Sequence, residues 1–147
     1  MRQPTQANIA SKTVLVVDDE PQILSIVSGF LCDQYHILTA SSGAEALHQS
    51  EEFKGDIHVL LSDFQMAGMT GIELATRITL ARPKIKVLLM SGYSEGLLVL
   101  NEGWHFLPKP FILSQLRSLV GGLAYPGSSL LSTLRSTGQK QLAHGLK

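Results

Sequence analysis

The stretch Thr13-Val-Leu-Val-Val-Asp-Asp-Glu20 decides how the rest of the chain is read. A short uncharged run, aliphatic from Val14 to Val17, breaks off abruptly into three acids. An apolar run of that length without polar alternation predicts a strand buried on both faces, as in a parallel sheet covered by helices. Pro21 follows, and proline suits a first helical turn because its missing N–H has no intrahelical partner to lose. Ile23, Ile26, Val27, Phe30 and Leu31 then recur at i, i+3, i+4, i+7 and i+8, which predicts one apolar face of a helix.

The same alternation repeats along the chain. Strands are expected at His36–Ala40, Ile57–Ser62 ending at Asp63, Ile85–Met90 ending at Ser91, and Trp104–Leu107. Helices are expected from Ala44 to about Glu52, over Gly71–Leu80, as a short turn over Ser94–Asn101, and over Ile112–Leu123. Ser41-Ser42-Gly43 reads as a turn or cap, and Gln65–Thr70 as a loop. Five βα units in about 110 residues predict an α/β fold, a doubly wound five-stranded parallel sheet with helices on both faces. In such sheets ligands bind beyond the carboxyl ends of the strands. Asp18 and Asp19 leave the first strand, Asp63 the third and Ser91 the fourth, while Lys109 lies just past the fifth. All five are therefore expected at one edge.

Three carboxylates crowded on an apolar sheet edge repel one another and call for a cation. Oxygen ligands of this kind suit Mg²⁺, which is typically held by one or two carboxylates and keeps several waters. Lys109 supplies a point charge for a carboxylate or for phosphate oxygens, and Ser91 a hydroxyl donor. These groups fit phosphoryl transfer, in which a protein positions the reactants and neutralises charge, with an aspartate able to act as nucleophile and form an acyl phosphate. Singly, each has a plainer reading: acids after a strand complement a helix dipole, Lys-Pro marks a turn, and a serine after a strand is a cap. Their convergence on one edge favours the chemical reading.

In order and spacing, these segments resemble the receiver domain of bacterial response regulators over about residues 12–123. The matching stretches are Val14-Leu-Val-Val-Asp-Asp-Glu20, Leu60-Leu-Ser-Asp-Phe-Gln-Met66 with Gly71-Ile-Glu-Leu74, Leu88-Leu-Met-Ser-Gly-Tyr93, and Phe106-Leu-Pro-Lys-Pro-Phe111. The resemblance implies a flavodoxin-like sheet of order 2-1-3-4-5. It also implies that Asp63 accepts a phosphoryl group from a histidine kinase or a histidine phosphotransfer protein. Asp19 and Asp63 would ligate Mg²⁺, with the Gln65 carbonyl as a further ligand and Asp18 acting largely through water. Lys109 would hold the phosphoryl oxygens, Ser91 and Phe106 would form the switch, and the Lys109–Pro110 peptide would be cis.

Three features depart from that pattern. Ala67 stands where the family usually has proline, which implies a more mobile loop with its chemistry intact. Phe106 lacks the hydroxyl of a tyrosine, so coupling through it is steric. Ser91 and Lys109 are only 18 residues apart, a shortfall that falls on the fourth helix and bears on the usual partner or dimerisation face.

Composition agrees with this reading. Of the 147 residues 44% are apolar and 6% aromatic, which suits an aliphatic α/β core and argues against disorder. Residues 13–124 carry all twelve acids against seven bases, a net of −5, within a chain of zero formal charge. An acidic body argues against direct DNA binding. No stretch reads as a signal peptide or a membrane span, so a soluble, cytoplasmic protein is expected. Cys32, the sole cysteine, rules out an internal disulfide and reads as a small core residue. His36, His48, His58, His105 and His144 lack ligand spacing. The chain divides into an N-terminal arm (1–11), the receiver (12–124) and a C-terminal tail (125–147). That tail holds a linker at Pro126-Gly127-Ser128-Ser129 and a leucine-bearing stretch from Leu130, and it is too short for a helix-turn-helix output domain.

The expected function is that of a phosphorelay receiver rather than an enzyme with turnover. A Mg²⁺-dependent aspartyl-phosphate phosphatase would use similar acids, but the Asp-x-Asp motif and a cap insertion are missing. A receiver-like scaffold that is never phosphorylated would be expected to lack an acid or the lysine, and none is lacking. An unidentified output protein and a possible homodimer complete the expected partners.

Overall fold

The computed structural model describes residues 11–92 and 103–127. Within them lie β1 (Thr13–Val17), α1 (Pro21–Leu31), β2 (His36–Ala40), α2 (Gly43–Glu52), β3 (Val59–Asp63), α3 (Gly71–Ala81), β4 (Lys86–Ser91), β5 (Trp104–Pro108) and α4 (Leu113–Ala124). The helix expected over 94–101, the first ten residues of the arm and the tail from 128 onward lie outside the described residues. No described helix is long and apolar enough to cross a membrane.

The five strands form one sheet of order β2-β1-β3-β4-β5, parallel throughout. β1 and β3 are buried at every position, which is why both read as unbroken runs rather than alternating ones. β2 lies on the edge and shows mostly half-buried or exposed residues. Successive side chains point to opposite faces, so the strands feed two cores. Val14, Val16, Leu61, Leu88 and Leu107 meet Val27 and Leu31 of α1 and Leu116 and Val120 of α4. Leu15, Val17, Leu60 and Leu89 meet Ala46 of α2 and Leu74, Ala75 and Ile78 of α3. A fully buried leucine contributes about 1.5–3 kcal/mol relative to exposure, so these two layers dominate the stability of the sheet.

The elements fall where the sequence placed them, to within two residues. Asp63 and Ser91 are the last residues of their strands rather than the first beyond them. Some expected core positions are displaced. Ile26 is 55% exposed; the buried stripe of α1 runs through Val27 and Leu31, flanked by Ile23, Leu24 and Phe30. Ile112 is the N-cap of α4 and is exposed. Cys32 is exposed too: it caps the C-terminus of α1, one residue past the packed stripe, and its thiol donates to the Gly29 carbonyl at 3.3 Å.

Local chemistry fixes the helix starts at the carboxyl end of the sheet. At α3, Thr70 Oγ1 accepts from Glu73 N (3.1 Å) and Glu73 Oε1 accepts from Thr70 N (3.0 Å), a complete capping box. At α2, Ser42 Oγ accepts from Glu45 N at 3.0 Å. Such caps satisfy amides that the helix itself leaves unpaired. Gly71 is needed for closeness, since a Cβ there would run into the Asp63 carbonyl oxygen.

Candidate functional site

Parallel strands end in register, so residues that close neighbouring strands must meet. Asp18 continues β1, its N–H donating to Ala40 O at 3.2 Å. Asp63 closes β3 opposite Met90, and Ser91 closes β4 opposite Pro108. Beyond β5, Lys109 N donates to Ser91 O at 2.6 Å, and the Lys109–Pro110 peptide is cis. Lys109 Nζ then reaches back over the rim, 3.1 Å from Asp63 Oδ1 and 3.7 Å from Asp18 Oδ2. Carboxylate oxygens of Asp18, Asp19 and Asp63 lie within 4.8 Å of one another.

Burial differs sharply among the acids. Asp18 is fully buried and Asp63 nearly so, while Asp19 is exposed. Asp18 Oδ1 accepts from Glu20 N at 2.9 Å, but its Oδ2 is buried and accepts no hydrogen bond. Burial pushes the Asp18 carboxyl above the ordinary carboxylate range; the Glu20 N–H and the Lys109 charge pull it back and Asp63 adds to the rise. Burial likewise raises Asp63, with Asp19 contributing, against the hydrogen bond and charge of Lys109. At Lys109 burial acts downward, but the hydrogen bond and charge of Asp63, with Asp18 and Glu20, outweigh it and leave the ammonium favoured. One lysine thus holds the cluster together without neutralising it.

That imbalance leaves negative charge for a further cation to offset. A buried carboxylate oxygen without a donor, beside two further carboxylates, is a hard oxygen donor set of the kind Mg²⁺ takes. The residues present fit the ion.

Asp18, Asp19, Asp63 and Lys109 converge. Ser91 is buried at the same rim, 2% exposed. Gln65 is exposed in the loop directly after Asp63. Phe106 sits opposite Leu89 in β5 and packs half-buried against the core on the α2–α3 side. Two further contributors are backbone amides. One is Glu20 N on Asp18. The other is Ala67 N, which donates to Asp19 Oδ2 at 3.2 Å. Proline could not make that bond, so alanine at this position gains a contact; the signal available in the sequence was the retained N–H.

The response regulator receiver domain family matches residues 14–121, and the chain belongs to that family, the receiver domains of two-component systems. The sensor kinase CckA of Brucella abortus is 36% identical over 115 residues, 75% of this chain and 12% of the kinase. The transcriptional regulatory protein PrrA of Mycobacterium leprae is 32% identical over 120 residues, 78% of this chain and 51% of PrrA. The chain therefore spans a minor part of the kinase and about half of the regulator. Among solved structures, a response regulator receiver domain protein from Clostridium thermocellum superposes with a TM-score of 0.71 at 28% identity, covering 77% of this chain and 94% of that one.

Proposed function

We propose that this protein is a phosphoacceptor: Asp63 takes a phosphoryl group from the phosphohistidine of a histidine kinase or phosphotransfer protein, and the modified form changes its partner binding. The observation that carries the reading is the Lys109 ammonium, 3.1 Å from Asp63 and 3.7 Å from Asp18, inside a three-carboxylate cluster. An Asp63 oxygen would attack phosphorus in line. The new P–O bond makes an acyl phosphate as the P–N bond to the donor imidazole breaks, and the released imidazole keeps its electron pair and takes a proton from solvent.

Mg²⁺ held by Asp19 and Asp63, with the Gln65 carbonyl as a further ligand and Asp18 acting largely through water, would offset negative charge on the transferring group. Lys109, already oriented by Asp63, would pair with a phosphoryl oxygen as the carboxylate becomes an ester-like anhydride. Phosphorylation brings roughly 1.5–2 negative charges and three acceptor oxygens to the rim. Ser91 would donate to one of these oxygens, and Phe106 would repack from its half-buried seat, so that phosphate biases an existing two-state element. The protein would undergo self-catalysed transfer and slow hydrolysis of its own acyl phosphate, without turning over external substrates. It would work in the cytoplasm, with no direct contact to DNA.

Beryllofluoride, an acyl-phosphate mimic, gives the test. With Mg²⁺ it should shift the amide resonances of Asp63, Ser91 and Phe106, and Asp63→Asn should abolish the response. Unchanged spectra in the unsubstituted protein would sink the proposal.

A further inference from the structure

The opposite end of the sheet holds a cavity of about 500 Å³. It opens where β1, β3 and β4 begin and where α3 and α4 end. Its apolar wall includes Ile57, Pro83, Ile85 and Leu123, and its charged lining is Lys12, Arg82, Lys84 and Lys86 against the single acid Asp56. Residues 13–124 carry a net charge of −5, yet this corner, which adds Lys12, is locally +3, four bases against one acid.

Among the described residues none of these four cations has a carboxylate partner, the only ion pairs there being those of Lys109 at the far rim. Arg82 is held by neutral acceptors, the Ser50 hydroxyl (2.9 Å) and the carbonyls of Ser50 (2.8 Å), Phe53 (2.9 Å) and Gly55 (2.9 Å). It fixes the wall without losing its charge. Lys12 Nζ lies 5.4 Å from the centroid of the Tyr125 ring. His58, in the lining, accepts the Thr13 N–H on Nδ1 at 3.0 Å, which leaves the ring proton on Nε2. Burial, with the nearby Lys12 charge, favours its neutral form.

Four cations lining one pocket with a single acid suit an anionic ligand. We propose that this cavity binds a small organic anion, a phosphate or similar dianion carried on an apolar or aromatic body. The volume falls in the range of small-molecule sites, roughly 300–1,000 Å³, which are mainly apolar with a few convergent polar groups. Lysine ammoniums serve phosphate as mobile point charges, and a dianion complements the net positive charge of the lining. The site lies at the far end of the sheet from Asp63 and does not depend on the phosphoacceptor reading.

The test titrates the full ¹⁵N-labelled chain with phenyl phosphate, which combines both features. The expected result is saturable shifts of the Lys12, His58 and Lys86 amides and of the His58 ring, with a dissociation constant below about 1 mM. Inorganic phosphate, charge without body, and benzyl alcohol, body without charge, should each bind at least about tenfold more weakly. Lys84→Glu combined with Lys86→Glu should weaken phenyl phosphate at least about tenfold while the beryllofluoride response at Asp63 stays as in the unsubstituted protein. Absence of a saturable shift, equal affinity for inorganic phosphate, or undiminished affinity in the double variant would each overturn the proposal. The His58 ring signal needs no substitution and decides the matter even if the double variant folds poorly.

Discussion

The two ends of the sheet carry the same electrostatic fault with opposite sign. At the carboxyl end three acids crowd against one lysine; at the amino end four bases line a cavity with one acid. The difference lies in burial. Asp18 and Asp63 are buried at the sheet rim, so their repulsion acts in a medium that screens poorly. Lys84 is exposed and Lys12 and Lys86 half-exposed, so water and salt absorb most of theirs. Like charges in the folded protein are costly in proportion to how far they are withdrawn from solvent, and the carboxyl end is where the structure has accepted that cost.

This contrast can be broken most completely at Asp63. Asp63→Asn should eliminate phosphoryl incorporation from a cognate donor, measured by radiolabel transfer, and Lys109→Ala should reduce it by at least about a hundredfold, the scale of losing one charge-stabilising group. Gly71→Ala should come next. A Cβ there meets the Asp63 carbonyl oxygen and lies 3.1 Å from the Phe64 Cα, backbone atoms that cannot swing aside. A loss of about 1–3 kcal/mol in denaturant unfolding is expected, along with slowed phosphorylation.

Asp18→Asn sharpens the comparison, since it removes a buried charge without changing shape. Asp18 and Asp63 both titrate higher in the folded protein than the ordinary 3.8. Between the unfolded and folded values the folded state holds protons that the unfolded state has released. Their contribution to stability is thus full below about the unfolded pKa and is lost as pH rises through the raised folded values. Asp18→Asn should therefore stabilise the protein near pH 7 by about 1 kcal/mol, the order of relieving the burial and repulsion of one carboxylate charge. The gain should vanish in acid. Thermal unfolding across pH measures this, and a loss of stability at pH 7 would contradict it. At the amino end the matching change, Lys86→Gln, should raise stability by only a few tenths of a kcal/mol at low salt and by nothing measurable at about 1 M salt.

Much of this was legible in the residues themselves. The uniformly buried Val14–Val17 and Val59–Leu61 read as strands covered on both sides, and the acids at their ends marked the rim of the candidate site. Thr70 and Glu73, three positions apart at the start of α3, form the capping box that such spacing favours. Side chains at element borders were harder to place. Cys32 and Ile112 sit one residue outside their helices, and Ile26 faces solvent although its spacing matches the apolar stripe, because an apolar period several residues wide does not say which edge of the stripe meets the sheet.

The order of apolar runs and acids determined a parallel sheet with Asp18, Asp19, Asp63, Ser91 and Lys109 at one edge, since strand direction alone sends every carboxyl end the same way. Tertiary structure decided what the acids experience there: the donorless Oδ2 of Asp18, the amides of Glu20 and Ala67, and the reach of Lys109. It alone assembled the basic cavity, whose Lys12, His58, Lys86 and Pro126 are spread over more than a hundred positions. Periodicity is a local property that a chain carries unfolded, whereas burial and charge proximity exist only once distant segments have met.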